Sequence, residues 1–295
     1  MDVGYLLSAA AVRVTGTSLR NGIQVDYESL VDELVQQAEK LSELPVLRVH
    51  WYDSARDGVP DTQQQFIGEL SNVKLRLGRF GVEGQQKGVD LRIGLDLVTH
   101  ARNGVSEVFF LVSGDDDLTE AVEEAQVHGV QVFLLAVPSA DDRPHGISRH
   151  LIRAADGLKI LFPEIIDRTV TKVEMPPMVV ASKAGRPQAD AIPMSLDGRG
   201  DSDPFHPPAT YPSGTSIDSE QIDSVVNGVL TTFRKSASAE ELAALAAGKP
   251  SIPRDIDKAL LTDLSDRLGE IDLNEAVRHK LRAQFWAKYD EAYGQ

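Results

Sequence analysis

The sequence predicts an α/β protein with a doubly wound parallel sheet, followed by a linker and a small all-α domain. Three observations carry that expectation. Over residues 1–172, short apolar runs of strand length alternate with amphipathic segments of helical length. Over residues 173–216 the composition shifts to Pro, Gly, Ser and Asp with few large apolar side chains, as in a flexible linker. Residues 217–295 then carry helical periodicity alone.

Taken in order, Met1-Asp2-Val3-Gly4-Tyr5-Leu6-Leu7 sets an acid ahead of an apolar run that begins a helix, and almost nothing of a preceding strand is present. Asp26 is an N-cap for a helix from Tyr27 to Leu41, with Leu30, Leu34, Ala38 and Leu41 at helical spacing. Val46 to Tyr52 reads as a strand, Asp61 caps a helix to about Ser71, and Val73 to Phe80 alternates as a second strand. Gly81 to Gly88 is expected to be a mobile loop. Val89 to Ala101 reads as a helix with Leu91, Leu95 and Val98 on its apolar face, widened by Ile93 and Leu97. Val108 to Val112 is the next strand, and Leu118 to His128 a helix ended by Gly129. A continuous apolar strand, Val130 to Val137, follows. Beyond the polar loop Ser139 to His145, Ser148 caps a short helix from His150 to Ala155, Gly157 to Leu161 is a last strand, and Pro163 to Thr171 a closing helix. Helices are expected over Ile217 to Phe233, Ala239 to Ala247, Lys258 to Leu268 and, capped by Asn274, Glu275 to Tyr293.

Composition narrows the chemistry. The chain of 295 residues has no cysteine, which excludes disulfides, thiolate zinc sites and cysteine nucleophiles. No apolar stretch has the length of a membrane span and no signal segment is legible, so a soluble, cytoplasmic protein with no membrane partner is expected. A formal net charge of -15 repels polyanions, so binding to nucleic acid requires a local basic patch or bound cations.

Four acids can be argued onto one edge of the sheet. Asp115 and Asp117 follow the strand Val108 to Val112, Asp90 opens the helix after the glycine-rich loop, and Asp2 stands where a first strand ends. Carboxylates gathered this way repel one another and persist as charges mainly when a cation joins them. Oxygen donors without a nearby histidine favour Mg²⁺ or Mn²⁺ over zinc, and phosphoryl transfer is the chemistry such a site serves. The competing reading of each acid is helix capping, which suffices for Asp116. Asp96 is rotated away from Asp90 on its helix and is expected to be solvated or paired, and Asp53 is a turn acid.

Lys87-Gly88-Val89-Asp90, then Leu111-Val112-Ser113-Gly114-Asp115-Asp116-Asp117-Leu118, then His128-Gly129 before an apolar strand, resemble the NYN domain family over roughly residues 1–165. The resemblance implies a PIN-like fold and a metal-dependent ribonuclease, with Asp2, Asp90, Asp115 and Asp117 as catalytic metal ligands for Mg²⁺ or Mn²⁺. The family reads D-x-x-N where this chain has Asp2-Val3-Gly4-Tyr5. Lys87, Arg79, Arg92 and Ser113 are the candidates for contacting substrate, and Lys74 and Arg76 extend the basic cluster. RNA is the expected partner, with a protein partner or self-association through the C-terminal helices as a further expectation. The alternative is a degenerate scaffold that binds RNA or protein without cleaving. A phosphatase is a weaker reading, because the D-x-D nucleophile motif of aspartyl phosphatases is not present after the first strand.

Overall fold

The computed structural model describes residues 1–55, 58–80, 86–173, 219–269 and 273–293. Its first half is a parallel sheet sandwiched between two helical layers, as expected. The elements run α1 (Val3–Thr15), β1 (Ile23–Val25), α2 (Tyr27–Ser42), β2 (Val49–Ala55), α3 (Thr62–Glu69), β3 (Val73–Phe80), β4 (Gln86–Lys87), α4 (Val89–Arg102), β5 (Val108–Leu111), α5 (Thr119–Val127), β6 (Gln131–Ala136), α6 (Arg149–Ala154), β7 (Gly157–Ile160), α7 (Pro163–Thr169) and β8 (Val170–Lys172).

Two three-stranded sheets, β2-β3-β4 and β5-β6-β7, are parallel throughout except that β4 runs antiparallel to β3. Met1 and Asp2 stitch them together. The Tyr52 amide donates to the Met1 carbonyl at 3.0 Å and the Asp2 amide to the Val112 carbonyl at 2.8 Å, so this dipeptide is all there is of a strand between β2 and β5.

Successive residues on the central strands point to opposite faces, and the two cores show it. Trp51, Val112 and Leu135 pack with Val3, Leu6, Leu30, Leu34 and Ile166 beneath α1, α2 and α7. Their neighbours Tyr52, Leu111 and Leu134 pack with Ile93, Leu97, Leu118, Val122 and Leu151 beneath α4, α5 and α6. Continuous apolar runs are what a strand buried on both faces requires.

Several boundaries and one helix face differ from the sequence reading. β2 begins three residues later than expected, because Pro45 and the residues after it lead into the strand rather than form it. Of the loop expected over Gly81 to Gly88, residues 81–85 lie outside the described residues, while Gln86 and Lys87 pair with Phe80 and Arg79 as a strand. On α4 the buried stripe is Val89, Ile93, Leu97 and Ala101, spaced by four. Leu91 and Leu95, expected in the core, are 67% and 59% exposed. The closing helix stops at Thr169, and Val170–Lys172 instead pairs antiparallel with β1 as a separate ribbon.

Four helices follow, α8 (Ser219–Ser236), α9 (Ala239–Ala247), α10 (Arg254–Leu268) and α11 (Glu275–Tyr293). All but the first residue of the expected linker lies outside the described residues. The helices share a core of Val226, Val229, Leu260, Leu264, Leu281 and Phe285. Leu19 of the first half belongs to that same core, 1% exposed. The Ser18 amide donates to Asp263 Oδ1 at 2.9 Å, and a Cβ on Gly22 or Gly228 would meet Thr232 at 2.5 Å or Thr17 at 3.2 Å. The helical unit is therefore docked on the segment between α1 and β1. No described helix is long and apolar enough to cross a membrane.

Candidate metal centre

Each acid reaches the carboxyl edge of the sheet by a local rule. Asp2 caps α1, accepting from the Tyr5 amide at 3.3 Å, and its other oxygen receives the Ser113 hydroxyl at 3.3 Å. It is largely enclosed, and burial pushes its carboxyl above the usual range, partly offset by the Tyr5 amide, the Met1 ammonium and Lys258. Asp90 sits in the first turn of α4, behind Gly88, whose φ of 86° is a left-handed conformation suited to glycine. Asp115 opens a 3-10 turn, Asp116–Leu118, and accepts the Asp117 amide at 3.0 Å.

Burial raises the Asp90 carboxyl above its ordinary value, and Asp115, Asp2 and Asp117 push it further in that order. The four acids thus lie within one another's fields. Asp116 faces elsewhere: it accepts from Ser148 and approaches His150 Nδ1 at 3.3 Å, and those contacts, the hydroxyl foremost, hold its carboxyl below the usual range. Ser148 also caps α6, so Asp116 clamps that helix to the 3-10 turn.

An all-oxygen donor set with mutual repulsion is one that a hard divalent cation fits, since a cation relieves the repulsion that burial aggravates. Among the described residues no three acids and histidines stand close enough together to hold a metal ion, so side-chain adjustment would accompany binding.

The residues around the acids sort differently from the sequence expectation. Ser113, expected to contact substrate, is wholly buried and out of its reach. Its hydroxyl donates to Asp2 and accepts from the Asp115 amide, both at 3.3 Å, and so ties two of the acids together. Arg76 is occupied by Asp96, at 2.5 and 2.8 Å, and the Tyr52 hydroxyl adds a bond to the same carboxylate at 3.0 Å. Arg92 is exposed on α4. Arg79 and Lys87 pair as backbone neighbours across β3 and β4, and their side chains lie outside the described residues. Asp53 is used locally, accepting from the Ser54 amide and the Gln64 amide group, both at 2.8 Å.

Two features were not legible as site residues in the sequence. Lys258 on α10 carries its charge to the neighbourhood of Asp2, with Arg20 close by. Burial, then Arg20, holds its ammonium below the usual lysine range. The only prior signal was the run Ile252-Pro253-Arg254-Asp255-Ile256-Asp257-Lys258, which says nothing of where it docks. Tyr5 occupies the position of the family's asparagine, but its hydroxyl donates to the His145 carbonyl at 2.7 Å and accepts from the Val137 amide at 3.2 Å. It braces the loop from Pro138 to Ser148, which lies over Gly114. A Cβ on Gly114 would stand 1.8 Å from the Gly146 carbonyl, which explains the glycine between Ser113 and Asp115. The same loop is latched from the helical unit by Asp266, 3.3 Å from His145 Nε2.

Comparison with known proteins places this geometry. The NYN domain family matches residues 8–161, more than half of the chain. The uncharacterized protein y4oD of Sinorhizobium fredii (strain NBRC 101917 / NGR234) is 43% identical over 77 residues, 26% of this chain and 36% of its own length. The chain thus spans about a third of the curated relative it matches. No solved structure matches.

Proposed function

Because the chain belongs to the NYN domain family, with its nuclease-like PIN fold, we propose that it is an endoribonuclease dependent on Mg²⁺ or Mn²⁺. The observation that carries this reading is the Asp90 carboxyl, raised by Asp115, Asp2 and Asp117 together at the carboxyl edge of the sheet. Acids that serve only as helix caps have no reason to face one another. Asp2, Asp90, Asp115 and Asp117 hold the cation, which supplies the positive charge that lets them ionise side by side and offsets the charge of a phosphodiester.

The chain's own groups do the rest. Ser113 fixes the spacing of Asp2 and Asp115 from within. Arg20 and Lys258, with Arg92, Arg79 and Lys87, provide the local positive surface that a chain of net charge -15 needs to hold an RNA backbone. The outer faces of the C-terminal helices remain for a partner or a second copy.

Single-stranded RNA incubated with the protein and Mn²⁺, beside an Asp115→Asn, Asp117→Asn double variant, tests the reading. Cleavage by the parent and not by the variant is expected. Equal cleavage by both, or by neither, contradicts it. Tyr5 favours the second reading, a scaffold that binds RNA or protein without cutting, since its hydroxyl is fully engaged and supplies nothing to the acids. Calorimetry separates the two, because a scaffold has no need of Mn²⁺ and Asp115→Asn would leave its heat of titration unchanged.

A further inference from the structure

Between β2 and β5 lies an apolar slot of about 400 Å³, running through the sheet layer from Met1 at one end to Leu47 and Val105 at the other. Leu34 of α2 lines it from one face of the sheet and Leu97 of α4 from the other. Leu44, Leu47 and Val105 at its rim are exposed, an unusual grouping of large apolar side chains. β2 pairs only with β3 and β5 only with β6, so both strands turn an unpaired edge to the slot. At its closed end the Met1 nitrogen donates to the His50 carbonyl at 2.8 Å, which is the bond a ladder amide makes there.

We propose that this slot is a strand-binding site whose occupant is an extended apolar segment carried ahead of Met1 in the same polypeptide, lying parallel to β2 and β5. Backbone groups inside an apolar layer are costly without partners, and one strand satisfies both edges at once. The four residues of β5 set its length at roughly four or five residues, given about 3.3 Å per residue. A covalent predecessor is favoured over a separate peptide by the closed end. Joined to it, the Met1 nitrogen is a neutral amide that keeps its bond to His50, whereas the end of a free peptide would set a carboxylate into the apolar slot. The strand would join the two sheets into one and fix the register of Asp2.

The full chain with Thr-Val-Val-Ile-Phe added ahead of Met1, compared with an added Gly-Ser-Gly-Ser-Gly and with the chain unextended, tests this. The apolar extension is expected to raise Tm by roughly 5–10 °C and to abolish binding of a dye specific for exposed apolar surface. It is also expected to slow hydrogen exchange of the Phe110 amide, which by alternation from Val112 faces the slot, at least tenfold. Thr-Val-Thr-Val-Thr serves where the first extension aggregates. Equal Tm and exchange for all extensions overturn the proposal. So does tight binding of the free peptide with no effect of the joined one, or a dimer of the unextended chain in which Phe110 is already protected.

Discussion

Tyr5 shows what a single side chain decides in this fold. Its hydroxyl is the partner of both the Val137 amide and the His145 carbonyl, and neither finds a substitute when it is removed. Tyr5→Phe is expected to cost about 1–3 kcal/mol in denaturant unfolding. Mn²⁺ affinity should stay close to the parent's, because the hydroxyl serves the loop and not the acids. A cation affinity that collapses while stability is unchanged would reverse that assignment. At this scale the sequence was most informative where an acid is delivered by a strand end or a helix start. Asp90, Asp115 and Asp117 were legible as partners, and Asp116 as a bystander, from their positions alone. Ser113 and Tyr5 were not, because what they do depends on residues more than a hundred positions away in the chain.

At the scale of elements, α4 is the instructive helix. Five apolar residues in its first ten allow two overlapping stripes, and periodicity could not choose between them. The sheet chose Val89, Ile93, Leu97 and Ala101, since that stripe meets Tyr52 and Leu111 while Gly94 lets Ala121 of α5 approach. Ile93→Ala is expected to cost about 2–4 kcal/mol and Leu95→Ala under about 0.5 kcal/mol in the same unfolding assay. Equal losses would restore the stripe first read from the sequence. On α10, Asp263 makes a pH-dependent prediction. Enclosed by the docking seam, one of its oxygens is buried without a hydrogen-bond partner among the described residues. Burial foremost pushes its carboxyl up to about 6, and Asp266 adds to this while His145 and the Ser18 bonds oppose it. The folded state therefore binds this proton more tightly than the unfolded chain, and the stability it contributes at low pH is lost as pH rises through about 6. Asp263→Asn, always neutral, should match the parent in Tm near pH 4 and exceed it by a few degrees at pH 7.5. A gap that is constant across this range would rule out the carboxyl as its source.

The whole molecule joins two units that the sequence separates by a long polar stretch. Alternating strand and helix patterns made the first legible and helical periodicity the second, but docking is a matter of shape, and Leu19, Gly22 and Gly228 carry no signal of it. Docking sets Lys258 near Asp2, which gives the helical unit a part in holding substrate under the proposed function. Lys258→Gln is expected to weaken binding of single-stranded RNA several-fold and to reduce the slope of log affinity against log salt by about one. An unchanged slope would remove the helical unit from the substrate path. The same view makes the acid constellation the centre of the molecule, since every element that ends at the carboxyl edge of the sheet either supplies one of the four acids or holds one in position. The most direct measurement is Mn²⁺-dependent cleavage of single-stranded RNA by the parent and by Asp90→Asn, with matched melting curves to show that both are folded. Cleavage that requires Mn²⁺ and falls by roughly a hundredfold in Asp90→Asn is the predicted result; cleavage indifferent to Mn²⁺ or to Asp90 would contradict it.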